Sequence, residues 1–320
     1  NFLFDSFSDD YCTRVGAEFL RGVQMPFKTS DLTAFVSEDG LDMTSIADNM
    51  VRIMGANTKF AYRDAYIAYM AMFFDEKLIK VLINNGVSEL RDGKYKRSCI
   101  YFRAALLLDS QDRDAMFGYA CCCREWYLSL AGGDEQELVS LLKAESTEYL
   151  EWTSRIYEDY AAAYYYLGYN YANAGLYAKA SFTWNEFLRL RELQGGEEES
   201  PEVEEIRERL ESLEDPVKIE EGVNHLISGR YAEGLKVLET YVGSEYDGWW
   251  PLHYNLATAY RELGHLQEAL EGYNRVIAIN PSHIESCEAL GELYSELGDP
   301  VMAEKYSKKA ELLRKQQNLP

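Results

Sequence analysis

Proline is scarce in this 320-residue chain, at 7, and histidine scarcer still, at 4. So few prolines leave long helices unbroken, and with 47% hydrophobic residues they fit an all-helical protein. No apolar run reaches about 18 residues, so no membrane insertion is expected. No charged-then-apolar leader precedes a cleavage site, so no signal peptide is expected, although the chain starts at Asn1 rather than Met, as a trimmed chain would. HExxH, GxSxG, GxxxxGK[ST] and a post-strand GxGxxG are all missing, and no carboxylate is marked by its neighbours as a general acid or base. The expectation is therefore no catalytic residue, no metal ligand and no cofactor. Basic residues are outnumbered 32 to 54, a net charge of −22 that repels phosphate backbones, so nucleic acid is not an expected partner.

The 6 cysteines form no CxxC pair. Cys121, Cys122 and Cys123 are consecutive, and on a helix their side chains diverge by about 100° each. They cannot converge on one tetrahedral ion and are expected to pack as small apolar residues. Unpaired cysteines without framework spacing suggest a reducing, cytoplasmic setting.

What the chain does have is an echo near its end. Shifted by 34 positions, Leu256 falls on Leu290, Ala257 on Gly291, Tyr260 on Tyr294, Gly264 on Gly298 and Ala269 on Ala303. A fixed period of this kind marks a stacked helical array. Leu256 and Tyr260 fall on one face of a first helix, Ala257 and Gly291 are small where a neighbour must come close, and Gly264 and Gly298 suit a helix end. Pro281 closes the unit, and Asp299-Pro300 is an N-cap followed by proline at the first helical position. The pattern resembles the tetratricopeptide repeat, a helix-turn-helix unit. The resemblance implies an all-α, right-handed superhelical solenoid of stacked repeats.

The same register recurs upstream. Tyr164, Leu167, Gly168, Tyr171, Gly175, Tyr177, Ala180, Trp184 and Phe187 fall on its signature positions, as do Gly222, Gly229, Tyr231, Gly234 and Leu238. Gly86, Gly93, Tyr95, Ser98, Phe102 and Ala105 do the same further back. A stretched unit lies between, with helices expected over about Arg113–Leu130 and Glu135–Trp152, joined by Ala131-Gly132-Gly133. The expected organisation is a diverged helical N-terminal cap over 1–78, repeats over 79–194, an acidic linker helix over 195–214, and three repeats with a terminal cap helix over 215–320. In the cap, a helix is expected over Ser45–Met54, ending at Gly55. Another is expected over Phe60–Phe74, with Tyr62, Tyr66, Tyr69 and Phe73 on its buried stripe. Before Lys28, an amphipathic helix through Tyr11, Val15, Phe19 and Leu20 is expected to stop at Pro26.

Between Gly195 and Gly222, 12 acidic residues face 3 basic ones. Val203, Ile206, Leu210 and Leu213 recur there at helical spacing, as in a solvated helix laid along the array. The basic last helix, with Lys305, Lys308, Lys309, Arg314 and Lys315, complements the acid of Glu197–Glu205. A homodimer built from the two is a possible arrangement.

In the resembled family, peptides or partner helices lie on a concave face lined by each unit's first helix. Carried over residue by residue, that face takes Tyr165, Tyr166, Tyr169 and Asn173 from one unit and Tyr254, Asn255, Thr258 and Arg261 from another. The last unit adds Glu285, Glu288 and Glu292, the first clear unit Ile83, Asn84, Val87 and Leu90, and the stretched unit Phe117 and Cys121. The tyrosines offer an aromatic wall, Asn255 a donor and an acceptor, and the glutamates an acidic end. Against this stands plain packing, since 25 tyrosines cannot all be contacts. Chaperone-binding members clamp a terminal carboxylate with Lys, Arg and Asn. Here Ile83 and Val87 occupy those positions and the last unit brings Glu288 and Glu292, so a neutral or basic segment fits better. His253 falls on a buried signature position, and His265 and His283 on exposed turns. The leading expectation is a non-enzymatic protein-interaction scaffold. The alternatives are a ligand-sensing array of a larger signalling protein and, behind it, an enzyme or cofactor carrier.

Overall fold

Six helical pairs among the described residues turn on the same device, a glycine in the left-handed region. Gly93, Gly132, Gly175, Gly229, Gly264 and Gly298 have φ of 71°, 85°, 72°, 76°, 78° and 81°. A side chain at that φ would clash with its own carbonyl, so glycine ends the first helix without strain and lets the second fold back. The computed structural model describes residues 2–28, 43–74, 77–195 and 200–317.

In chain order, β1 (Phe2–Asp5) and α1 (Asp9–Arg14) lead through a short 3-10 turn to β2 (Met25–Lys28). Then follow α2 (Met43–Ala56), α3 (Arg63–Phe73), and the pairs α4 (Lys77–Arg91) with α5 (Tyr95–Leu108), α6 (Arg113–Ser129) with α7 (Gln136–Ile156), and α8 (Ala161–Asn173) with α9 (Tyr177–Leu193). A further helix, α10 (Pro201–Ser212), precedes α11 (Glu214–Ile227) with α12 (Tyr231–Leu238), α13 (Trp250–Glu262) with α14 (Leu266–Ile279), and α15 (Ile284–Glu296) with α16 (Pro300–Gln317). The chain divides into two compact units. The first takes in the described residues up to Gly175 together with Phe182–Ser200, and the second Leu176–Ser181 with those from Pro201 on.

Three of the pairs share one kind of close joint. A Cβ placed on Gly86 would lie 2.9 Å from the Phe102 ring, one on Gly168 2.2 Å from Trp184, and one on Gly222 2.8 Å from Leu238. In all three the large residue stands sixteen positions after the glycine. The absent side chain on the first helix makes the socket for the large one on the second, so the two helices approach closely and bury both. In the last two pairs the sockets are Ala257, buried in one apolar cluster with Tyr273, and Gly291, opposite Ser307.

The array is all-α, and the N-terminal segment departs from its expected form. In place of one amphipathic helix there is a short α1 between β1 and β2, which pair antiparallel with Leu3 opposite Phe27 and Phe4 opposite Pro26. Pro26 lies inside a strand rather than stopping a helix, and Phe19 is exposed while Leu20 and Met25 are fully buried. Gly55 does not end its helix either, because α2 runs to Ala56. It marks a crossing, since a Cβ there would lie 2.1 Å from the Ile100 carbonyl oxygen of α5. Tyr66 and Tyr69 are fully buried, and the Tyr66 hydroxyl donates to the Gln24 carbonyl at 2.5 Å. In α10, Val203 and Ile206 are buried among acidic neighbours. Glu197, Glu198 and Glu199 lie outside the described residues.

Cys122 and Cys123 are fully buried and Cys121 half-buried. Cys99, from α5, comes within 3.4 Å of the Cys122 sulfur, a proximity between distant segments that spacing does not reveal.

Candidate functional site: the first-helix faces and a polar cavity

In the first unit, α6 and α8 are the first helices of successive pairs and meet through their side chains. The Tyr166 ring lies 5.7 Å from Phe117, and Phe117 lies edge-on to Tyr160 at 5.1 Å. The guanidinium of Arg124 lies 5.4 Å from the Tyr166 centroid and 5.6 Å from that of Tyr169. Cys121 stands one turn before Arg124 on the same face. Burial pushes its thiol up to about 12. Arg124 Nη1 pairs with Glu125 at 3.0 Å, while its Nε is buried with no hydrogen-bond partner among the described residues.

The three tyrosines therefore divide their roles. Tyr166 faces α6. Tyr169 bridges Arg124 and the Trp184 ring, at 5.1 Å. Tyr165 packs back on Phe187 at 5.3 Å, and its carbonyl accepts the Trp184 indole N–H at 3.1 Å, so it belongs to the α8–α9 joint. Phe117, Cys121, Tyr166 and Tyr169 come together as one half-buried surface. Arg124 joins them, and its spacing of three from Cys121 places it on the same helical face. In α4, Ile83 and Val87 are partly buried against the core, and Asn84 is exposed.

Asn173 lies elsewhere, on the rim of a cavity of about 440 Å³ bounded by α7 and the last turns of α6 and α8. Its floor is Asn170, only 6% exposed. The Asn170 amide oxygen accepts from the Tyr127 hydroxyl at 3.1 Å, and its nitrogen donates to Ser146 and Thr147 at 3.0 and 3.3 Å. Lys143, Glu148 and Glu151 supply the charge around it. The Lys143 ammonium lies 5.7 Å from the Tyr127 centroid, and Glu151 accepts the Tyr171 hydroxyl at 2.6 Å. Burial, with that bond to Glu151, pushes the Tyr171 hydroxyl pKa up.

The second unit has its own first-helix face, and much of it is already engaged. Asn255 donates to the Pro251 carbonyl at 2.9 Å, which uses one of its amide hydrogens inside the helix. Thr258 donates back to the Tyr254 carbonyl at 2.9 Å and meets the Tyr273 hydroxyl at 3.1 Å. The expected acidic end is largely neutralised from within. Arg261 bonds Glu292 at 2.7 Å, which raises its pKa, and Arg314 of α16 bonds Glu288 at 2.5 Å. Arg314 and Lys308, read as free basic groups on the last helix, are both paired, the latter with Glu304 at 2.5 Å.

His253 is buried, as its signature position implies, and its Nε2 meets the Asp247 carbonyl oxygen at 2.8 Å. His283 is not the exposed turn residue expected. Its side chain is 11% exposed, between Trp250 at 4.3 Å and Tyr254 at 4.9 Å, and its Nδ1 accepts the Ser286 N–H at 3.2 Å to cap α15. A ring that accepts at Nδ1 must be neutral, and burial lowers its pKa.

No group of three His, Cys, Asp or Glu among the described residues is placed to hold a metal ion, and no helix among them is long and apolar enough to cross a membrane.

A family model described as tetratricopeptide repeat matches residues 250–283, and a second of the same description matches 284–317. Among solved structures, MamA 41-end from Desulfovibrio magneticus RS-1 is 20% identical, over 62% of this chain and 97% of that one, at a TM-score of 0.34. A tetratricopeptide repeat protein from Parabacteroides merdae ATCC 43184 is 16% identical, over 88% and 91%, at a TM-score of 0.34. YrrB, described as a TPR protein with an unusual peptide-binding site, is 16% identical over 66% and 91%, at a TM-score of 0.32. No curated protein matches the chain in sequence.

Proposed function

Since the chain is a tetratricopeptide-repeat protein, we propose that it is a non-enzymatic interaction scaffold whose first-helix faces hold an extended peptide or a helix of a partner protein. The observation that carries this is the half-buried row of Phe117, Cys121, Tyr166 and Tyr169 around Arg124. Tyrosine and phenylalanine on a rigid helix cover much area at little rotamer cost, and a side chain laid across them gains apolar burial without ordering the receptor first. Each unit pairs an arginine of its own first-helix face internally, Arg124 with Glu125 in the first and Arg261 with Glu292 in the second. Recognition then rests on apolar and aromatic contact, which suits a segment that is neutral where it touches the tyrosines.

The test is site-specific photocrosslinking in the native cell. A benzoylphenylalanine is placed at Tyr166 and, as the contrast, at Phe182, which is 70% exposed on α9. Partner peptides are expected from position 166 and not from 182. Equal yields from both, or yields from 182 alone, overturn the reading.

A further inference from the structure

The cavity between α7 and the ends of α6 and α8 is distinct from the aromatic row and is built differently. Lys143, Thr147 and Glu151 recur every four residues and so form one stripe along α7. Glu148 lies beside that stripe, and all four line the cavity. The groups beneath them are held in place. Asn170 is fixed by Tyr127, Ser146 and Thr147, and Tyr171 fixes one oxygen of Glu151.

We propose that this cavity receives a basic side chain, arginine or lysine, from the partner segment. It offers a cation two carboxylates, an aromatic face and amide oxygens, against one ammonium of its own. That ammonium supports the assignment. Lys143 lies over the Tyr127 ring, where an incoming guanidinium would lie, and its long exposed side chain is free to swing aside. The chain's own cation marks the place of its partner's. A volume of about 440 Å³ accommodates a whole arginine side chain with solvent to spare.

The inference rests on the reading of the chain as an interaction scaffold, and its test needs no partner. Acetyl-arginine amide is titrated into the labelled full chain, and the backbone amide resonances of residues 143–151 and 170–174 are followed by NMR. Acetyl-citrulline amide is the neutral isostere and acetyl-glutamate amide the opposite charge. Saturable shifts are expected with the arginine probe and severalfold weaker binding with citrulline. Glu151→Gln, which keeps an acceptor for Tyr171, is expected to weaken the arginine probe about threefold. Lys143→Met is expected to strengthen it by about the same factor, because it removes the competing cation. Preference for the glutamate probe, weakening by Lys143→Met, or no saturable shift with any probe overturns the assignment. A silent cavity leaves the crosslinking test at Tyr166 unaffected, and loss of crosslinks at Tyr166 leaves the probe titration unaffected, so the two failures are told apart.

Discussion

The Trp184 indole fills the space that Gly168 leaves by having no side chain, and its N–H reaches past that glycine to the Tyr165 carbonyl at 3.1 Å. The joint is therefore both a fit and a hydrogen bond, and it anchors the helix that carries Tyr166 and Tyr169. An added methyl at Gly168 would meet the indole at 2.2 Å, and a buried tryptophan has no room to yield. Gly168→Ala is expected to destabilise the chain by about 1–3 kcal/mol. Gly248→Ala, where nothing lies within 4 Å, is the matched control and is expected to stay within about 0.5 kcal/mol of the wild type. Denaturant titration of both variants, with equal midpoints, would refute the socket.

Asn170 is a buried amide that ties the last turns of α6 and α8 to the middle of α7. Asn170→Leu removes an acceptor for Tyr127 and a donor for Ser146 at once, leaving both in a buried place without that partner. The expected loss is about 1–3 kcal/mol. Tyr127→Phe in the same background is expected to recover part of it, since it removes one of the stranded groups. A double-mutant cycle that shows strict additivity would contradict the coupling.

His283 makes the last repeat sensitive to acid. The folded chain keeps the ring neutral and its pKa below the ordinary 6.5, because it is buried and its Nδ1 accepts the Ser286 N–H. Glu285, at 3.5 Å from Nε2, pulls the other way but does not prevail. With the folded pKa depressed, the unfolded chain takes up the proton first. Stability is full above pH 6.5 and is lost as pH falls through the lowered value. His283→Asn keeps a capping acceptor that does not titrate, so its stability is expected to fall less over that window. Parallel pH profiles of melting temperature for the two proteins would rule the mechanism out.

The thiols are expected to be inert in the folded chain. Burial pushes Cys121 up to about 12, and hydrogen bonding among the thiols together with burial raises Cys99 and Cys122, so little thiolate exists at neutral pH. Labelling with an aromatic disulfide reagent is expected to be slow natively and complete in denaturant, where all 6 react. Rapid native reaction of Cys121 would show that the face beside Arg124 opens far more readily than its packing implies.

Much of the array can be read directly from the letters, for a physical reason. Helical pairs are local structures, and their glycine turns, small joint residues and apolar stripes all lie within one period. The stretched unit shows how far this goes. Its helices were expected over about Arg113–Leu130 and Glu135–Trp152, and they span Arg113–Ser129 and Gln136–Ile156. What stayed hidden depends on distant partners. The Leu3–Phe27 strand pairing has no local period to announce it. Gly55 reads as a stop until Ile100 is found against it. Glu288 and Glu292 read as an acidic end because their cations come from Arg314 and Arg261, on other helices. Arg124 stands three residues after Cys121 on the same helical face, but what marks it is its place against the Tyr166 and Tyr169 rings of another helix.

The sixteen-residue joint has a genetic corollary. At three positions the socket and its filler lie within one helical pair, so damage there has a remedy inside that pair, while Gly118 of the next pair also faces Phe102, at 2.3 Å. A bulky substitution at Gly86 is expected to be suppressed by trimming Phe102, one at Gly168 by trimming Trp184, and one at Gly222 by trimming Leu238, with no exchange of suppressors among the three. Second-site reversion at these positions would behave as a set of independent local locks.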